Sequence, residues 1–366
     1  MLRQYKLRDY RFSLVIWVMA LSSLGIMIIG SAEETLQYRQ LGGLCIGLVL
    51  MLVISVIDYS WLLNFYWIFY LAGNGLLLAV LLVGENVNGA TRWIRIGIQF
   101  QPSDLVKIIL ILFFAKFFSK YEDKLNTLKI ILFSLILLGI PLFLIYKEPD
   151  LSTTLVTALT FCAIIFIAGL SYKIIGGILV VAVPLAVILL SIILQLGQTL
   201  IEDYQLSRIM AWLKPAEYAT EAYQQTNSII AIGSGQLYGK GLNNNMVSSV
   251  KNGNFIVEPQ TDFIFAVAGE ELGFLGCCLI IILELLIAVE CIRIGRRAKD
   301  LAGTLICCGL GALIMFQSFF NICVATGLMP NTGIPLPFVS YGMTSLISFC
   351  IGIGVVLNIG LQTRKY

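Results

Sequence analysis

Val257-Glu258-Pro259-Gln260-Thr261-Asp262-Phe263-Ile264-Phe265-Ala266 closes the longest polar interval of the chain and opens a long apolar run. Read as a loop running into a membrane helix, it puts Asp262 at the point where the chain enters hydrocarbon. An unpaired carboxylate carried deep into a bilayer costs several kcal/mol, so Asp262 needs a reason to be there.

The run after Asp262 is one of many. The 366 residues are 58% hydrophobic and 12% charged, with mean hydropathy +0.91. Soluble proteins carry about a quarter charged residues. The apolar residues fall in blocks of roughly twenty, the length that crosses a ~30 Å core. The chain therefore reads as an all-α polytopic membrane protein, with ten spans expected at 12–30, 41–57, 64–83, 104–118, 127–146, 152–169, 174–196, 263–289, 301–326 and 341–361. No internal repeat or composition break splits off a soluble unit, so residues 1–366 are expected to form a single transmembrane domain. No cleavage site follows the basic Met1–Arg11 segment, and the first run reads as a retained helix.

Charge orients this array. With the N-terminus in the cytoplasm, 15 of the 24 Lys and Arg fall in short inner segments: Arg3, Lys6, Arg8, Arg11, Lys116, Lys120, Lys124, Lys129, Lys173, Arg293, Arg296, Arg297, Lys299, Arg364 and Lys365. The positive-inside rule then places both termini in the cytoplasm. A net charge of +3 gives no argument for nucleic acid. The nine cysteines all lie in apolar runs and read as reduced packing residues. There is no histidine, so acid–base chemistry falls to carboxylates, lysine or tyrosine.

On this topology the outer side holds the polar stretches: 84–103, the Lys147-Glu148-Pro149-Asp150 corner, 197–261, and Pro330–Gly342. The loop 197–261 is far longer than an ordinary connection and is expected to be functional. Its Tyr223–Gly235 segment has an apolar centre too short to span, suited to lying at the interface or re-entering. The glycines at 233, 235, 239 and 241 loosely match a phosphate-cradling loop, but no strand precedes them.

Three outer corners share a design: Asp104 after Gln101-Pro102-Ser103, Asp150 after Glu148-Pro149, and Asp262 after Gln260-Thr261. Each puts Asp at the start of a helix running inward, and helix capping accounts for each taken singly. Together they read differently. Lys107 lies three residues after Asp104, on the same helix face. Arg92, Arg95, Lys147 and Lys240 add positive potential on the same side. A cavity with cations around an exposed carboxylate suits an anionic, phosphate-bearing lipid, while Arg92 and Arg95 beside Trp93 equally suit interfacial anchoring. In the eighth span, Gly269 and Gly273 permit close helix packing. Glu270, about 12 Å deeper than Asp262, fits either the same cavity or a pair with a neighbouring cation.

The sequence resembles the SEDS family of membrane glycosyltransferases, the RodA, FtsW and SpoVE proteins. The resemblance rests on Asn88-Gly89-Ala90-Thr91-Arg92-Trp93-Ile94, Phe100-Gln101-Pro102-Ser103-Asp104, Glu148-Pro149-Asp150-Leu151, Thr261-Asp262-Phe263-Ile264-Phe265-Ala266 with Glu270-Glu271-Leu272-Gly273, and Leu336-Pro337-Phe338-Val339-Ser340-Tyr341-Gly342. Ile334–Phe338 and the N-terminal Tyr5–Tyr10 segment look more RodA-like than FtsW-like.

The resemblance implies ten transmembrane helices with both ends cytoplasmic, a bacterial cytoplasmic-membrane location, and Asp262 as the catalytic residue. It implies transfer of glycan from an undecaprenyl-diphosphate-linked donor to the N-acetylglucosamine 4-hydroxyl of lipid II, with inversion and Asp262 as general base. Arg92, Asp104, Lys107, Asp150, Lys240 and Ser340 are the expected substrate-binding residues. A divalent cation, Mg or Mn, is a candidate cofactor, with Asp262, Asp104 and Asp150 as candidate ligands. The expected partner is a class B penicillin-binding protein supplying transpeptidation. Four positions depart from the family pattern: Asp104 stands for the usual Glu, Gln260 for His, Ser152 and Met343 for Gly. A lipid flippase or a non-enzymatic scaffold of an elongation or division complex are the rival readings.

Overall fold

The computed structural model describes residues 10–87, 90–96, 98–177, 203–243 and 255–362, with isolated positions 180, 184 and 249. The helices among them are α1 (Phe12–Ala32), α2 (Glu34–Val56), α3 (Tyr66–Val83), α4 (Pro102–Lys120), α5 (Leu128–Lys147), α6 (Leu151–Ile167), α7 (Asp203–Leu213), α8 (Ala219–Ser234), α9 (Ile264–Gly295), α10 (Leu301–Ala325) and α11 (Met343–Leu361). Nine of the ten expected spans coincide with one of these helices.

By length and composition, seven helical stretches among the described residues are able to cross a membrane, and α6, with 17 residues, is a shorter apolar helix. α4 has 19 residues but carries four charges, Asp104, Lys107, Lys116 and Lys120. Most of the expected span 174–196 lies outside the described residues. So do Asn88-Gly89, Lys251, the N-terminal segment before Tyr10, and Arg364 and Lys365.

The bundle is built around helices whose burial exceeds a single stripe. α4, α10 and α11 are buried on most of their faces, and Phe113, Phe114, Phe117 and Phe118 of α4 are almost inaccessible. Phe113 stacks on Tyr70 of α3 at 4.4 Å between centroids, and Phe114 meets Phe161 of α6 edge-on at 4.8 Å. Small residues bring α2 against α11: a Cβ on Gly47 would meet Cys350, and one on Gly354 would lie 2.8 Å from the Met51 carbonyl oxygen.

Two parts of the expected outer loops are ordered structure. Within 84–103 the chain forms an antiparallel meander of β1 (Glu85–Val87), β2 (Ala90–Ile96) and β3 (Ile98–Phe100), with Arg95 opposite Gln99. Within 197–261 lie α7 and α8, so the described residues 203–243 of this insertion are folded.

That insertion enters the bundle at a break in α9. Gly273 has φ 67° and ψ −164°, outside helical geometry. The break removes the helical bonds that would join residues 270 and 271 to 274 and 275. The segment after α8 replaces all four partners. Lys240 and Gly241 N–H donate to the Glu270 and Glu271 carbonyls, both at 2.9 Å, while Phe274 and Leu275 N–H donate to the Gln236 and Leu237 carbonyls, at 2.8 and 3.2 Å. Inside a bilayer, non-helical backbone survives only where protein satisfies it in this way. The approach needs glycine on both sides: a Cβ on Gly235 would fall 1.9 Å from the Gly269 carbonyl oxygen, and one on Gly239 2.1 Å from that of Glu271. The insertion glycines at 235 and 239 therefore serve a backbone crossing, in place of the loosely expected phosphate cradle.

Candidate active site

The three Asp corners, alike in sequence, have three different fates. Asp150 caps α6, accepting from Thr153 N–H at 3.0 Å and from the Thr153 hydroxyl at 2.9 Å. Asp104 makes no cap bond and pairs with Lys107 at 2.9 Å, both side chains buried. The Asp262 side chain does not cap α9. It remains partly accessible and aimed at the loop between α10 and α11.

That loop is fixed to the Asp262 turn from several sides. The Ser340 hydroxyl donates to the Thr261 carbonyl at 2.6 Å and accepts from Leu336 N–H at 2.7 Å, while Tyr341 N–H donates to the Gln260 carbonyl at 2.9 Å. Gln40 of α2 donates to the Ser340 carbonyl at 3.1 Å and accepts from Gly342 N–H at 3.2 Å. The buried Ser340 hydroxyl bonds within the protein on both sides, which makes Ser340 a latch on the Asp262 turn. Gln260 contributes its backbone carbonyl to the same latch. The Ser152 hydroxyl donates to the Thr332 carbonyl at 2.6 Å, so this departure from the family pattern joins α6 to the loop.

Gly333 sits directly against the carboxylate. Its φ is +70°, and a Cβ there would lie 3.2 Å from Asp262 Oδ2 and 3.9 Å from Arg208 Nη1. Only glycine meets both the left-handed backbone and the lack of space. Arg208, on α7, donates to the Asn331 carbonyl at 3.3 Å.

On the other side, Arg92 of β2 donates to the Glu148 and Pro149 carbonyls and stands 4.0 Å from Asp150 Oδ2. Arg92 thereby holds the Glu148–Asp150 corner. Burial raises the proton affinity of Asp262, the Arg208 and Arg92 guanidinium groups lower it, and Asp150 and Glu258 raise it again. The balance is pushed up to about 6. Burial and Asp150, opposed by Arg92, push Glu148 up to about 8. A carboxylate near neutrality in a cationic recess is suited to accepting a proton.

The expected constellation is only partly gathered. Asp262, Arg92 and Asp150 share one electrostatic neighbourhood. Asp104 and Lys107 form a buried pair that reaches the site indirectly: Lys107 Nζ donates to Gln317 Oε1 at 3.0 Å, and Gln317 Nε2 donates to the Pro335 carbonyl at 2.9 Å. Lys240 is drawn to Glu270 at 2.8 Å beside the α9 break, the pairing that sequence left as one of two choices for Glu270. Among the described residues no three His, Cys, Asp or Glu side chains gather as metal ligands. Asp262, Asp104 and Asp150 therefore do not fit the expected metal site, since Lys107 neutralises Asp104 and Asp150 is occupied as a cap.

Arg208 is the residue sequence reading missed. It was one more cation in a long insertion, and only the fold of α7 brings it to Asp262. Gln317 and Asn321, also missed, did leave a signal: two amides one turn apart on one face of an otherwise apolar helix.

An acid, two guanidinium groups and a latched loop thus meet at one recess of a helical membrane protein. The family described as a cell cycle protein of the FtsW, RodA and SpoVE type matches residues 9–365. A probable peptidoglycan glycosyltransferase FtsW from Coxiella burnetii is 35% identical, covering 98% of each chain. The peptidoglycan glycosyltransferase MrdB of Escherichia coli K12 is also 35% identical, over 95% of this chain and 89% of its own.

Among solved structures, a chain from a study of how a peptidoglycan synthase complex coordinates polymerization and crosslinking superposes with TM-score 0.78 at 28% identity, covering 96% of this chain and 97% of its own. Rod shape determining protein RodA of Thermus thermophilus superposes with TM-score 0.69 at 27% identity, covering 98% of each. The chain belongs to the FtsW/RodA/SpoVE family and is a peptidoglycan glycosyltransferase.

Proposed function

We propose that this enzyme polymerises lipid II at the outer face of the bacterial cytoplasmic membrane, with Asp262 as general base. The observation that carries the reading is the Asp262 carboxylate itself: uncapped, partly accessible, and held near pH 6 between burial and two arginines. The N-acetylglucosamine 4-hydroxyl of lipid II approaches it and gives up its proton as the oxygen bonds to C1 of the donor sugar. The C1–O bond to undecaprenyl diphosphate breaks on the opposite face, so the anomeric centre inverts and the diphosphate departs with the electron pair. Arg208 and Arg92 are placed to balance that charge. The Asp104–Lys107 pair acts through Gln317 on the shape of the loop, and no step is assigned to a metal.

The likeness to a chain of a synthase complex that couples polymerization to crosslinking supports a class B penicillin-binding protein as partner. The break in α9 is a feature a flippase would share, because transporters bind cargo at broken helices. Here the backbone groups at 270, 271, 274 and 275 are all bonded to residues 236–241, leaving none for cargo. The test is polymerisation of lipid II by purified protein and by Asp262→Asn. Glycan chains from the first and none from the second support the reading. Chains from both refute the base, translocation of labelled lipid without chains supports a flippase, and neither activity supports a scaffold.

A further inference from the structure

The Asp262 turn and the loop facing it are not joined only to each other. Both are gripped by α10, through two amides, Gln317 and Asn321, that lie outside the motifs carrying the family resemblance. Asn321 is 1% exposed, and its Nδ2 donates to the Asp262 carbonyl at 2.8 Å and to the Ile334 carbonyl at 2.6 Å. Ile334 directly follows Gly333, which sits against the Asp262 carboxylate. One amide thus fixes the backbone of the acid and the backbone of the glycine that faces it.

Gln317, one turn earlier and also 1% exposed, repeats the grip on the next residue, donating to the Pro335 carbonyl. Its own orientation is imposed by Lys107, whose ammonium must face the amide oxygen and so turns the NH2 group toward Pro335. Lys107 is in turn held by Asp104. A continuous buried chain therefore runs Asp104–Lys107–Gln317–Pro335–Ile334–Asn321–Asp262, from α4 across α10 to the acid.

We infer that Asn321 and Gln317 are positioning residues, which set the distance between the Asp262 carboxylate and the Gly333 segment and transmit the Asp104–Lys107 pair to it. The inference rests on the reading of Asp262 as the base. It gives the buried lysine a purpose other than touching substrate: it orients an amide. Asn321 has no spare donor, because both hydrogens of its NH2 group are used, so removal frees two carbonyls on opposite sides of the recess together. The carboxylate then relaxes among the charged groups that face it, Arg208, Arg92, Asp150 and Glu258.

The experiment compares Asn321→Ala, Gln317→Ala, Gln317→Glu and Asp262→Asn with the parent protein in lipid II polymerisation. Rate is followed against substrate and against pH, with melting temperature recorded for each. Misplacing a base by about 1 Å costs on the order of 100-fold. The expected result is a kcat lower by roughly 10- to 100-fold for Asn321→Ala, an unchanged KM, and a displaced acid limb of the pH–rate profile. Gln317→Glu, which keeps the acceptor for Lys107 but loses the NH2 donor to Pro335, is expected to resemble Gln317→Ala.

A fall in rate that merely follows lost folded protein, with the acid limb in place, would overturn the inference. So would Gln317→Glu with parental kcat, since the donor would then be dispensable. Activity retained by Asp262→Asn would overturn the base itself, and is distinguishable from a failure confined to α10.

Discussion

Arg208→Gln separates the electrostatic account of Asp262 from a purely steric one. Both side chains face Gly333, with Asp262 Oδ2 at 3.2 Å and Arg208 Nη1 at 3.9 Å from the place its Cβ would occupy. At most about 7 Å therefore separates them. At an effective dielectric of about 20, two unit charges that far apart interact by roughly 2.4 kcal/mol, and 1.36 kcal/mol corresponds to one pKa unit. Water reaching the partly accessible carboxylate reduces this, so removing the cation should raise the proton affinity of Asp262 by about one unit.

The sign follows from the role. A base works deprotonated, so polymerisation should fall as pH drops through the Asp262 value of about 6. In Arg208→Gln the fall should begin about one pH unit higher. Each profile is normalised to its own alkaline plateau, because loss of a cation that balances diphosphate lowers the plateau as well. The variant should then be about fivefold slower at pH 6 and nearly equal to the parent at pH 8. Initial rates with labelled lipid II between pH 4.5 and 8.5 read this directly. An acid limb that stays in place, or moves to lower pH, would refute the electrostatic reasoning while leaving the fold untouched.

Three further outcomes follow from the geometry. Gly239→Val, which drives a Cβ into the Glu271 carbonyl in a left-handed backbone, should cost about 3 kcal/mol or prevent folding, seen as a lower melting temperature in detergent. Lys240→Met removes the ion pair at 2.8 Å to the buried Glu270 beside the α9 break and should destabilise by about 1–3 kcal/mol; Lys240→Met with Glu270→Gln should recover part of that loss, checked by a double-mutant cycle on thermal unfolding. Ser340→Ala removes the hold on the Thr261 carbonyl and leaves Leu336 N–H without its acceptor, costing about 1–3 kcal/mol. Its kcat should fall with KM for lipid II unchanged, and a raised KM with normal kcat would return Ser340 to direct substrate contact.

The membrane helices were legible because hydrocarbon imposes a strong rule: a span must be long, apolar and helical. The meander at 85–100 was less so. Its residues mix Arg, Trp and Ile in short strands, and what makes them a sheet is pairing such as Arg95 with Gln99. Asp262 was legible as an expensive carboxylate at a junction. Its difference from Asp104 and Asp150 was not, since all three begin inward helices after similar residues. What separates them is whether a hydroxyl, a lysine or the Gly333 backbone stands opposite, and that depends on long-range packing. Arg208 lies 54 positions before Asp262 in the sequence, with nothing local to join them.

The splice at Gly273 also constrains how the molecule is made. Synthesis delivers residues 236–241 before α9 leaves the ribosome, because chains emerge N-terminus first. The insertion must therefore wait, its donors and acceptors exposed, until the second half of its hydrogen-bonding partner arrives. α9 in turn cannot settle as two separate pieces in lipid without four backbone groups losing their bonds. The broken form of α9 and the docking of residues 236–241 are therefore coupled, since each satisfies the other's backbone. Shortening the insertion would be felt first as a failure of the eighth span to integrate, before any effect on chemistry.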